Sequence, residues 1–215
     1  MKLVVILRKT CEMWKFERIY RELLLSSLRH DLLVRQKDLA MSCKVSLGLV
    51  NKTVKKLELT LAVETTRNGV RVLSPGRLIN LWAAERRLSR DVWQMFRLDP
   101  ITDIDRELPR DVLVTAFPGW FLLSGRKSAE YDRVYFYVTS KENFNLWLDF
   151  RKDKIRKANP NVFALYVEDE HLASTSEKGI VCIPQIYVDI YSIDGPEAAP
   201  FLRDIATTYP DLSLW

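Results

Sequence analysis

Six residues concentrate the chain's most suggestive chemistry: Asn51, Lys52, Lys55 and Lys56 within one short span, and Arg67 and Arg71 beside an Asn68-Gly69 step. Ammonium and guanidinium groups neutralise phosphates, and an asparagine amide matches the edge of adenine. The residues around them must hold these groups outward. Val50, Val54 and Leu57, joined by Val45, fall on one stripe of a helix predicted from Ser46 to Glu58, with Ser46 as its N-cap. Leu47, Gly48, Asn51, Lys52, Lys55 and Lys56 are left on the outward faces, where glycine permits close backbone approach. An ordinary solvated helix face would have the same composition, so the neighbouring elements decide what this one means.

Before it, Phe16, Ile19, Tyr20, Leu23, Leu24 and Leu28 recur at helical spacing and predict a core helix. His30-Asp31 breaks that pattern, and Leu32-Leu33-Val34 suits a short edge strand. Gln36 to Met41 reads as a short helix with Leu39 and Ala40 inward, and Ser42-Cys43-Lys44-Val45 as the turn into the next helix. After it, Leu61–Thr66 and Val70–Leu73 read as strands around Arg67-Asn68-Gly69, a strong hairpin signal. Arg67, Asn68 and Arg71 at its tip suit a phosphate or the minor groove. Core helix, short helix, turn, lysine-bearing helix and basic hairpin, in this order, predict a winged helix-turn-helix. Folds of this type also serve as protein-interaction modules.

Gln36-Lys37-Asp38-Leu39-Ala40, the run Val45 to Lys52, and Lys55-Lys56-Leu57-Glu58 resemble the helix-turn-helix of bacterial and archaeal winged-helix regulators. Ser74-Pro75-Gly76-Arg77-Leu78-Ile79-Asn80-Leu81-Trp82 resembles the helix start after the wing in archaeal regulators related to type IV (AbiEi-like) antitoxins. The resemblance implies a transcriptional regulator that binds double-stranded DNA.

Composition agrees with a basic partner-binding half. Residues 1–100 hold 20 Lys+Arg against 10 Asp+Glu, a net +10, and residues 101–215 hold 13 against 18, a net −5. A polyanion is drawn to the first half alone. No apolar stretch is long enough to span a membrane, and Met1 to Leu7 is too short for a signal peptide, so a soluble cytoplasmic chain is expected. Cys11, Cys43 and Cys182 are odd in number and widely spaced, with only His30 and His171 to assist them; reduced thiols are expected, with no metal site and no cofactor.

Ser74 and Pro75 open a helix whose apolar residues continue through Trp82, Leu88, Val92, Trp93 and Phe96 to Leu98, predicting one long connector helix. Its Arg86, Arg87 and Arg90 are read as solvated, and Trp82, Trp93 and Phe96 as core or homodimer contacts. The proline-bracketed segment Asp99–Pro109 marks a boundary between a DNA-binding domain at 1–99 and a second domain at 110–215. In the latter, strands are predicted at Asp111–Ala116, Tyr131–Val138, Val162–Val167 and Gly179–Ile183. Helices are predicted from Pro118 to Ser124, Lys141 to Arg151, Pro184 to Tyr191 and Glu197 to Thr207, giving an α+β chain with a small mixed α/β second domain. His171 is read as a loop residue outside any Cys-His pattern, and Arg151–Lys157 as a solvated helix end.

Ile183–Asp189 and Gly195–Arg203 make this half resemble the minimal nucleotidyltransferase-like domain that archaeal proteins fuse to a winged helix. Active members carry a Gly-Ser turn before a helix and two carboxylates, one residue apart, on the next strand, which together hold Mg²⁺. Here the turn is Ala116-Phe117-Pro118-Gly119-Trp120 and the strand offers Asp132-Arg133-Val134, so that pair is missing and a non-catalytic domain is expected. The reading is a DNA-binding regulator, a homodimer with a possible partner protein on its second domain. The rivals are a nucleotidyltransferase acting on nucleic acid and a type IV antitoxin.

Overall fold

The apolar spacing of the first helix is satisfied by one buried face. The computed structural model describes residues 15–31, 33–99, 108–109, 111–156 and 158–213. In α1 (Lys15–Leu28), Ile19, Tyr20, Leu23 and Leu24 are fully buried. Helix α2 (Gln36–Ser42) buries Leu39, and the turn after it places Lys44 in the left-handed region at φ 51°. Ser46 then caps α3 (Leu47–Leu59), its Oγ accepting from the Leu49 N–H at 3.2 Å, and Val50, Thr53, Val54 and Leu57 face the core. Strands β1 (Val63–Thr66) and β2 (Gly69–Val72) pair antiparallel with Thr66 opposite Gly69, which leaves Arg67-Asn68 as the turn.

The strand expected at Leu32-Leu33-Val34 reduces to Val34; Leu32 lies outside the described residues. Val34 exchanges two backbone hydrogen bonds with Val70, at 2.9 and 2.8 Å, and so adds a third short segment to the hairpin. This pairing explains Gly69. A Cβ there would sit 2.7 Å from the Val34 carbonyl oxygen, at a φ of 153° that side chains rarely adopt.

The long connector helix is overturned. Helix α4 (Pro75–Glu85) ends where Arg86 turns extended, a 3₁₀ turn spans Leu88–Arg90, and Val92–Leu98 is strand β3. Two periods coexist in this run: Leu88, Val92 and Phe96 recur every four residues, whereas Gln94, Phe96 and Leu98 are buried every second residue. Pairing with another strand makes the second period win.

The remaining elements are β4 (Val112–Thr115), α5 (Ala116–Ser124), β5 (Val134–Val138), α6 (Lys141–Arg151), β6 (Ile155–Arg156), β7 (Val162–Leu165), α7 (Glu170–Ser174), α8 (Ile183–Tyr191) and α9 (Ala198–Thr208). The solvated helix end expected over Arg151–Lys157 therefore contains a 3₁₀ turn, Lys152–Lys154, and the short strand β6; Lys157 lies outside the described residues. The five-stranded sheet runs β4-β5-β7-β3-β6, with β5 and β7 parallel and the other neighbours antiparallel. The chain is thus mixed α+β. Gly179–Ile183 is not a strand; Ile180 makes only isolated bridges, to Val114 and Glu177, and α8 begins at Ile183. Most of the boundary segment Asp99–Pro109 lies outside the described residues.

Phe96, Phe136 and Phe144 pack between α6 and one sheet face. On the other face a single apolar core joins Ile19, Leu23 and Trp82 to Tyr137, Ile186, Val188 and Phe201, so the N-terminal helices and the sheet share an interior. Through it runs a polar network centred on Asp189, which is fully buried. Asp189 Oδ1 accepts from Arg86 Nε and Gln185 Nε2, both at 2.9 Å. Its Oδ2 accepts from Thr115 Oγ1 at 2.7 Å and Tyr137 Oη at 2.8 Å. Arg86 also lies 2.6 Å from Asp91, and Gln185 Oε1 accepts from Arg21 at 2.8 and 3.1 Å. Arg21 continues to Asp169 at 3.3 Å and to His171 Nδ1 at 2.9 Å. A guanidinium only donates, so Nδ1 accepts and the His171 proton sits on Nε2, directed at Glu22 Oε2, 3.0 Å away.

Removing one partner of such a buried set strands the others. Asp189→Ala is expected to destabilise the fold by about 3–5 kcal/mol, read from urea unfolding. The His171 hydrogen bond, with help from Arg29, holds the Glu22 carboxyl below its usual range. Its contribution is therefore full above the unfolded carboxyl value and is lost as the pH falls through the lower folded one. Stability curves of the native chain and of Glu22→Gln should accordingly converge on acidification; curves that stay parallel would refute this.

Candidate nucleic-acid interface

The core stripe of α3 decides which residues it offers to solvent. With Val50, Thr53, Val54 and Leu57 inward, Ser46, Leu47, Gly48, Asn51, Lys52, Lys55 and Lys56 are all exposed, as are Arg67, Asn68 and Arg71 on the hairpin. The hairpin is fixed relative to α3 by Glu58, whose Oε1 accepts from the Thr65 N–H at 2.8 Å. Its tip is tightened by Thr66, whose hydroxyl donates to the Gly69 carbonyl at 3.0 Å and accepts from the Asn68 N–H at 3.3 Å.

The cations of this surface are not equivalent. Lys56 pairs with Glu85 of α4, and Arg71 with its cross-strand neighbour Glu64 at 2.5 Å. Lys52, Lys55 and Arg67 make no ion pair among the described residues. Between the first turns of α2 and α3 and the hairpin tip lies an open groove of about 740 Å³. Leu47, Arg67, Asn68 and Gly69 line it, together with Arg35 and Lys37, which sequence reading passed over as part of a minor helix start. Only the hairpin folding back towards α2 reveals them.

Gly48 has no internal reason to be glycine. A Cβ added there would meet nothing nearer than Ser46 Oγ at 4.0 Å, and its backbone is ordinary helix.

Elsewhere the structure revises the reading. Arg86 is buried within the Asp189 network, not solvated, and Trp82 and Phe96 are core residues. Trp93 is half-buried and packs on Phe144 and Tyr166 with ring centroids 5.6 and 5.8 Å away. His171 is no loop residue; it lies buried in α7, with Cys43 Sγ 3.9 Å from its Nε2. Sequence reading saw no Cys-His pair because 128 residues separate the two. Burial pushes the Cys43 thiol up to about 11, which leaves it protonated at neutral pH and a poor nucleophile.

In the second half, Val134 is buried and Arg133 closes the loop before α9, donating to the Asp194 carbonyl at 2.9 Å and pairing with Glu197. Among the described residues no three His, Cys, Asp or Glu side chains are grouped to hold a metal ion, and no helix is long and apolar enough to cross a membrane. Comparison with protein-family models, curated proteins and solved structures gave no match.

If Gly48 serves no internal contact, alanine should be better for the fold. Gly48→Ala is expected to raise stability by about 0.5–1 kcal/mol in thermal or urea unfolding.

Proposed function

We propose that the chain is a sequence-specific regulator that binds double-stranded DNA through a winged helix-turn-helix, with α3 in the major groove and the β1–β2 hairpin as a basic wing. One observation carries this reading: Lys52, Lys55 and Arg67 stand exposed on two adjoining elements with no ion pair among the described residues. Their charges are therefore available to phosphates. Asn51 lies on the same outward face of α3, where its amide suits an adenine edge. The +10 and −5 halves orient a polyanion towards this surface. Arg71 and Lys56, already paired to acids, contribute less in this reading.

Replacing Lys52, Lys55 and Arg67 together by alanine should weaken duplex binding by at least tenfold in a gel-shift titration. Each lost phosphate contact removes about 0.9 from the slope of log affinity against log salt, so the triple variant should lose roughly 3 units of slope. Affinity and slope unchanged from the native chain would sink the proposal.

A further inference from the structure

We infer that the first turn of α3 reads the C5 methyl group of a thymine in the major groove, with Leu47 as the contacting side chain. This rests on the DNA-binding reading above.

Leu47 opens α3 and is 47% exposed, so core packing does not account for a leucine there. Its apolar side chain cannot serve a phosphate. Beside it, Gly48 leaves open space where a side chain would stand, and the fold makes no use of that opening. A flat partner can therefore approach the helix backbone and seat against Leu47. The groove that Leu47 lines has further apolar groups, Leu33 at 41% exposure and the methyls of Thr65 and Thr66. Arg35, Lys37 and Arg67 also line it and make no ion pair among the described residues; Asp38 is the acid among its lining residues.

Apolar contacts among unpaired cations complement the edge of a duplex. The apolar group that standard bases present in the major groove is the thymine methyl. 5-Methylcytosine carries the same group in the same position, but on a G·C pair. Asn51 discriminates between these sources. It follows Leu47 by four residues and so shares its outward face, where its amide matches the adenine of an A·T pair. Leucine and asparagine one turn apart thus select A·T pairs, with thymine supplying the methyl.

The test begins with sites selected from random duplex DNA by the full chain. Each thymine in a selected site is then replaced singly by uracil, which removes the methyl alone. At one position uracil should weaken binding about three- to fivefold, the worth of burying one methyl group. Leu47→Ala should bind the thymine and uracil forms of that site equally, and should keep the native salt slope because no cation is altered. A 5-methylcytosine·guanine pair at that position should bind more weakly than thymine·adenine; equal binding would overturn the thymine assignment. Uracil silent at every position, or a Leu47→Ala variant still sensitive to it, would overturn the inference while leaving DNA binding intact. Failure of the native chain to enrich any sequence would overturn both readings.

Discussion

A single carboxylate, that of Asp189, sets the terms on which the rest of the molecule assembles. It is fully buried yet receives four hydrogen bonds, two on each oxygen, from the end of α4, the end of β4, Tyr137 of β5 and its own helix. Burying a charge costs several kcal/mol, and the cost is offset only when every donor is in place. The network therefore tolerates few arrangements of α4 and α8 against the sheet. Arg21 extends the constraint to α1 and on to Asp169 and His171 at the start of α7.

Charge is partitioned accordingly. Inside, Arg21 is paired with Asp169 and Gln185, and Arg86 with Asp91 and Asp189. Outside, Lys52, Lys55 and Arg67 keep their charge for solvent or a partner, on elements tied down by short hydrogen bonds, the Glu58 carboxylate to the Thr65 N–H and the Val34 backbone to that of Val70. An exposed cation on a firmly placed element loses less entropy on meeting a phosphate than one on a mobile loop. Rigidity and availability are therefore achieved by different residues within the same half.

What could be read from sequence was what is decided locally. Val50, Val54 and Leu57 with the Ser46 cap specify α3 within thirteen residues, and Asn68-Gly69 marks the hairpin even though Gly69 answers chiefly to Val34. Lys141–Arg151 emerged as a helix with its expected ends. The run Leu88–Leu98 satisfied helix and strand periods at once, and pairing with β7 and β6, far along the chain, broke the tie. The polar network was invisible for the same reason. Arg86 and Asp189 are 103 residues apart and Arg21 and Gln185 are 164, so neither pairing leaves a local pattern. Arg35 and Lys37 were missed because the groove exists only once the hairpin has folded back.

The shared interior also bears on modularity. Small N-terminal helical units are often treated as cassettes that can be excised and fused elsewhere. Here residues 15–99 alone would leave Arg21 without Gln185, Asp169 and His171, would leave Arg86 without Asp189 and Tyr137, and would open the faces of α1 and α4 that rest on α8. The first half is thus not a portable part. Its interior is completed by the second half of the same chain.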